Sequence, residues 1–238
     1  MKLIVGNFKM NLLKNDILNY LKDLKGQSFS DVVFCPSTIY LNNFINRGFK
    51  VGSQDIGFKE GGAYTGDISA TQLKSLGVNY SIIGHSERRK YYQDDKYINE
   101  KLICALNNDI IPILCIGESI EEKNNNLTGK RLSKDIDEAF KNISSNLLKN
   151  VIIAYEPLWA IGSGLIPINS EIHDIIEFIK NHISKNYNIE VKVLYGGSVN
   201  NDNITTLESV ENIDGYLVGG ASIDTNKFID LINKINHI

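Results

Sequence analysis

The sequence predicts an α/β protein: a single (β/α)8 barrel, eight parallel strands ringed by helices, occupying residues 1–238 as one domain. Three observations carry this expectation. Short runs rich in Ile, Val, Leu, Tyr or Phe alternate along the chain with segments of helical periodicity, as βα units do. Several of the runs, VIIAY and IPILCI among them, are almost continuously apolar, the pattern of a parallel strand covered on both faces. The unit recurs eight times in 238 residues, close to the roughly 250 usual for a closed barrel. A doubly wound open sheet competes, but it would place phosphate-binding glycines after its first strand, where this chain has Asn7, Phe8 and Lys9.

In chain order, strands are predicted at residues 3–9, 31–36, 51–55, 80–85, 111–117, 151–156, 191–196 and 215–219. Two helices are plain from their spacing. Ile172, Ile175, Ile176 and Ile179 fall on one face at i, i+3, i+4 and i+7, and Phe228, Leu231, Ile232 and Ile235 repeat the pattern. The polar run EEKNNN at 121–126 reads as a surface loop, and no linker or domain boundary stands out.

Bulk composition narrows the function. A chain 42% hydrophobic and 22% charged is globular. Its net charge of -3 offers no footprint for nucleic acid, although a local cationic pocket for a small anion remains open. Cys35, Cys104 and Cys115 form neither an even disulfide set nor a metal-ligand spacing, which points to a reducing compartment. No signal peptide and no run of about 20 apolar residues is present. A cytoplasmic protein without a membrane partner is expected.

Barrel enzymes build their sites from the carboxyl ends of strands. Here those ends carry Asn7 and Lys9 on strand 1, His85 on strand 4, Glu156 on strand 6, Gly196, Gly197 and Ser198 after strand 7, and Gly219 and Gly220 after strand 8. Each has a plain alternative. Lys9 could be a solvated lysine, His85 a loop histidine with local hydrogen bonds, Glu156 the partner of an arginine, Trp159 packing, and the glycines simple turns. Their convergence on one rim favours chemistry. Glycine turns after strands 7 and 8 offer backbone N–H groups to a phosphate. A carboxylate beside them can take a proton from carbon once water is excluded. The negative charge that then develops on oxygen needs a donor, and His85 and Lys9 are suited to that. No metal-ligand spacing is evident. The inferred reaction is proton abstraction next to a carbonyl on a small phosphorylated sugar.

These residues sit in strings that resemble the triosephosphate isomerase family over nearly the whole chain. The strings are NFKMN at 7–11, Gln54 with GGAYTGD at 61–67, IGHSERR at 83–89, CIGE at 115–118, AYEPLWAIGSG at 154–164, YGGSV at 195–199 and LVGGAS at 217–222. GHSERR and YEPLWAIGSG are highly specific; NFKMN alone is weak. The resemblance implies interconversion of dihydroxyacetone phosphate and D-glyceraldehyde 3-phosphate through an enediolate, in glycolysis and gluconeogenesis, with no cofactor and no metal. In this family a glutamate base paired with a neutral histidine electrophile is a known case of divided acid–base labour. Carried over by motif, Glu156 moves the proton between C1 and C2, and His85 polarises the carbonyl from a helix start at Ser86. Lys9 offsets negative charge, Asn7 positions substrate oxygens, and Glu87 organises His85 and Lys9. Phosphate would meet the N–H groups of Gly162, Ser198, Gly219 and Gly220.

The same resemblance makes residues 157–164 a closing lid. Pro157, Leu158 and Trp159 form the first hinge, Ala160, Ile161 and Gly162 the tip, and Ser163 and Gly164 the far hinge, with Tyr195 and Ser198 as latches. It also implies a homodimer through the loop at 57–67, with Tyr64 and Thr65 at the interface. Phe58 and Tyr64 look too apolar for that loop to lie in water. Phe8 stands where the family has tryptophan, and Leu165 where a lysine often follows the lid; both bear on packing or lid mobility. Cys115 reads as core packing. Rival functions fare worse. A metal-dependent epimerase lacks ligands, Lys50 and Lys192 are poorly placed for a Schiff base, and a non-catalytic relative would have lost one of Lys9, His85 or Glu156.

Overall fold

The computed structural model describes residues 2–161 and 167–236. Eight parallel strands close into a barrel in sequence order. They are β1 (Leu3–Asn7), β2 (Val32–Cys35), β3 (Lys50–Ser53), β4 (Tyr80–Ile83), β5 (Ile111–Ile116), β6 (Ile152–Tyr155), β7 (Lys192–Tyr195) and β8 (Gly215–Val218). Around them run α1 (Lys14–Asp23), α2 (Leu41–Ile45), α3 (Ala70–Leu76), α4 (Ser86–Tyr92), α5 (Ile98–Asn107), α6 (Ile120–Asn124), α7 (Thr128–Phe140), α8 (Ser145–Leu148), α9 (Asn169–Tyr187), α10 (Ile204–Leu207) and α11 (Thr225–Asn236). No described helix is long and apolar enough to cross a membrane.

The strands alternate faces, and that alternation makes two cores. Leu3, Val5, Val33, Ile82, Ile113, Ile152, Ala154, Leu194 and Leu217 fill the barrel interior. Their neighbours Ile4, Phe34, Ile83, Leu114, Ile153 and Val193 pack outward against the helices. The two helices predicted from spacing behave accordingly: α9 buries Ile172, Ile176 and Ile179, and α11 buries Phe228, Leu231, Ile232 and Ile235. Phe8, in place of the family's tryptophan, is wholly buried against Tyr20 and Phe44, with ring centroids 5.0 and 5.6 Å away.

Three expectations need correction. The strands end one or two residues before the predicted positions, with Lys9 and Gly84 turning the chain at positive φ beyond β1 and β4; β3 also starts at Lys50 rather than Val51. The run at 121–126 is not simply a loop. Residues Ile120–Asn124 form α6, started by Ser119, whose hydroxyl accepts from the Glu122 N–H while the Glu122 carboxylate accepts from the Ser119 N–H. That Ser-x-x-Glu capping box outweighs the weak propensity of the asparagines. Phe58, finally, whose cover was expected from a second copy, stacks on Tyr97 of its own chain at 4.2 Å, while Tyr64 and Thr65 are exposed.

Candidate active site

Strand parity brings the predicted residues to the barrel mouth. On β1 the inward series Leu3, Val5 continues to Asn7; beyond β6, Ile152 and Ala154 continue to Glu156; beyond β7 and β8, Leu194 and Leu217 continue to Gly196 and Gly219. His85 arrives differently. Gly84 takes φ 70°, a left-handed conformation that breaks the alternation at the end of β4, and His85 becomes the N-cap of α4. One cavity of about 290 Å³ is lined by Asn7, Lys9, His85, Glu156, Ser198, Gly219 and Gly220, with Ile161 of the lid on its edge. Gly162, Ser163, Gly164 and Leu165 lie outside the described residues.

The contacts inside are specific. Glu156 is 3% exposed; its Oε1 lies 3.3 Å from His85 Nε2, and the Ser86 N–H reaches its Oε2 at 3.5 Å. His85 Nδ1 accepts the Glu87 N–H at 3.2 Å. An Nδ1 that accepts carries no proton, so this hydrogen bond places the ring proton on Nε2, pointing toward the carboxylate and the cavity. Lys9 Nζ pairs with Glu87 Oε1 at 2.8 Å, and its stem crosses the mouth so that its Cε would lie 3.5 Å from a Cβ at Gly219. Lys9 holds φ 51°, a conformation a side-chain-bearing residue rarely adopts. Its N–H donates to Asn7 Oδ1, and its carbonyl accepts from Gln54 Nε2 at 2.9 Å and Ser37 Oγ at 3.2 Å.

The predicted first hinge of the lid is equally well tied. Leu158–Ala160 form a 3-10 turn after Pro157, and Trp159 Nε1 donates to Glu118 Oε1 at 2.8 Å, beside the Tyr155 hydroxyl at 3.1 Å. Lys123 lies over the Trp159 ring at 3.9 Å. Ser198 Oγ donates to the Ala160 carbonyl at 2.6 Å. The Tyr195 hydroxyl is buried and has no partner among the described residues.

A sequence profile of triosephosphate isomerases matches residues 2–235. Triosephosphate isomerases from Alkaliphilus oremlandii and Clostridium botulinum (strain Langeland) are 38% and 39% identical over 243 aligned positions, covering 97% of this chain and 98% of each relative. That of Moorella thermoacetica is 35% identical over 242 positions, 97% of both chains. The chain belongs to the triosephosphate isomerase family. It is an isomerase on a (β/α)8 barrel, and the family's reaction interconverts dihydroxyacetone phosphate and glyceraldehyde 3-phosphate in glycolysis.

Around this candidate site, four residues were missed as contributors by sequence reasoning. Cys115 is in the core, and burial together with the nearby Glu156 carboxylate pushes its thiol well above its ordinary pKa. Glu118 anchors Trp159 and Tyr155 while its own pKa is raised by burial. Gln54 and Arg89 hold backbone carbonyls next to Lys9 and His85. Strand parity could have found Cys115, which shares the inward face with Ile113; nothing local marks the other three. Lys50 and Lys192 begin β3 and β7 at the opposite end of the barrel, and among the described residues no three His, Cys, Asp or Glu side chains cluster as a metal site would need.

Proposed function

We propose that Glu156, His85, Lys9 and Asn7 carry out the triose phosphate isomerisation, in a chain that works as one domain and as a cytoplasmic homodimer. The observation that supports this most directly is the shared cavity, where a carboxylate, an imidazole N–H and an ammonium surround a space beside two glycine turns. The phosphate dianion sits on the N–H groups of Ser198, Gly219 and Gly220, joined by Gly162 when the lid closes. Glu156 takes a proton from C1 of dihydroxyacetone phosphate, and the electron pair moves onto the carbonyl oxygen to give an enediolate. The His85 Nε2–H donates to that oxygen and Lys9 opposes its charge. His85 then moves protons between the two oxygens, and the carboxylic acid of Glu156 returns its proton to C2 to give glyceraldehyde 3-phosphate.

Glu156 rests against Ser86 and His85. It is bonded directly to Pro157, so lid closure carries it toward substrate and excludes water at the same time. Tyr195 and Ser198 act as latches. The homodimer is supported by the exposure of Met10, Leu13 and Tyr64. It is supported too by a cavity of about 310 Å³ lined by Met10, Gln54, Glu87 and Arg88, into which a second copy's loop could insert. The test is solvent-isotope exchange during turnover. Wild-type protein should interconvert the two triose phosphates and wash deuterium into C1 of dihydroxyacetone phosphate, and Glu156→Gln should do neither. Persistent exchange in that variant removes Glu156 as the base.

A further inference from the structure

We infer that Arg89 is a positioning residue for this isomerisation: its guanidinium replaces the hydrogen-bond rung missing between β4 and β5 at the mouth, and so fixes His85 against Glu156. The inference rests on His85 and Glu156 having the roles proposed above.

Past the ends of three other strand pairs, a backbone N–H carries the ladder on. Phe8 donates to the Cys35 carbonyl at 3.1 Å, Glu156 to Ile116 at 2.8 Å, and Gly196 to Tyr155 at 2.8 Å. The β4–β5 pairing ends at Ile83 opposite Leu114. There Gly84 turns away at φ 70°, and a side chain takes over. Arg89 Nε donates to the Gly84 carbonyl at 2.7 Å, and its Nη2 donates to the Cys115 carbonyl at 2.8 Å. One rigid, planar fork thus spans two strand ends.

The fork is itself braced. Its Nη1 pairs with Asp95 and faces Asp135 at 3.8 Å, and the side chain is 13% exposed, so its charge is largely withdrawn from water but compensated. The Arg89 N–H also donates to the His85 carbonyl at 3.1 Å. Arg89 therefore holds the peptide before the histidine and the peptide after it. Its other carbonyl belongs to Cys115, the residue before Ile116, whose carbonyl accepts the Glu156 N–H at 2.8 Å. The guanidinium links the backbone of the electrophile to the strand end that holds the backbone of the base. A lysine ammonium could reach one of the two carbonyls but has no fixed fork with which to bridge them.

The test compares wild type with Arg89→Lys, which keeps the charge beside Asp95 and Asp135, and with Arg89→Ala. For Arg89→Lys the expected result is a fall in kcat of about 100-fold, the cost of misplacing a catalytic group by about 1 Å. KM should stay within about twofold, because the phosphate-binding turns are untouched, and the His85 Nε2–H resonance should shift. Guanidinium ion at tens of millimolar should restore part of the kcat of Arg89→Ala, where tetramethylammonium should not. Wild-type kcat in Arg89→Lys overturns the inference, as does rescue of melting temperature by guanidinium without any rescue of kcat. A wild-type protein inactive on triose phosphates sinks the parent proposal instead, so the two failures are distinguishable.

Discussion

At the scale of single residues, the proposed mechanism needs Glu156 to have one place to rest and one way to leave it. Two glycines set the walls. A Cβ at Gly117 would lie 1.8 Å from the Glu156 carbonyl oxygen, and one at Gly196 would lie 2.9 Å from its Cγ. The second clash meets a side chain rather than backbone, so Gly196→Ala should fold and push the base aside. We expect kcat to drop tenfold or more with a small change in melting temperature; unchanged kcat means the carboxylate does not need that space. Shortening the base makes the complementary test. Glu156→Asp draws the carboxylate back by one methylene and should lower kcat about 100-fold while substrate binding holds. Steady-state kinetics on both triose phosphates would decide, and full turnover removes Glu156 from the mechanism. How far such residues could be foreseen depends on what fixes them. Asn7, Glu156, Gly196 and Gly219 follow from period-two alternation, which any sequence displays. The short strands' true ends do not, because they are set by φ at Gly84 and Lys9, and by Gln54 reaching across from the end of β3.

At the scale of elements, the proposed lid is tied through a carboxylate to the turn that precedes α6. Glu118 accepts from Trp159 and Tyr155, and its backbone carbonyl accepts from the Leu158 N–H at 3.0 Å. One buried acid therefore tethers the first hinge of the lid. α6 begins two residues later, and its capping box was readable at Ser119 and Glu122 but was masked by the asparagines that follow. Burial raises the Glu118 pKa, outweighing the hydrogen bonds that lower it. The folded chain thus binds more protons than the unfolded one between the ordinary glutamate pKa and the raised one. Stability must then fall as pH rises through that window, with the cost absent below it and complete above it. Asp55 and Asp135 are also raised by burial and add the same sign. Glu118→Gln isolates one share, since its amide oxygen can still accept from Trp159. Melting temperatures of wild type and variant should diverge in the variant's favour as pH rises across the window. Parallel curves contradict the raised pKa. Trp159 fluorescence gives a second readout: a phosphate ligand that closes the lid should change it in both proteins.

At the scale of the whole molecule, the barrel was legible because its evidence is redundant. Eight strand signals must each fail before the closed topology is lost, and the continuous apolar runs of β5 and β6 leave little choice of architecture. The proposed homodimer has no such redundancy, and the proposal rests on one loop. The exposed stretch through Tyr64 and Thr65 is braced at its base by Phe58 stacked on Tyr97, so it leaves the barrel as an ordered projection instead of a loose tether. Met10, which lines the cavity proposed to receive that loop, is 95% exposed, and Leu13 is 75% exposed. The cavity proposed to receive it includes Lys9, His85 and Glu87, so a second copy seated there would buttress the cation proposed to face substrate. Assembly and catalysis should therefore fall together. Sedimentation should give about twice the 26.7 kDa of one chain. Thr65→Arg would drive an unpaired guanidinium into the contact at a cost of several kcal/mol, shifting the population to single chains and lowering kcat as it does. Monomeric wild type with full turnover would overturn the coupling. So would a fully dissociated Thr65→Arg variant that kept wild-type kcat, since the buttress to Lys9 would then be unnecessary.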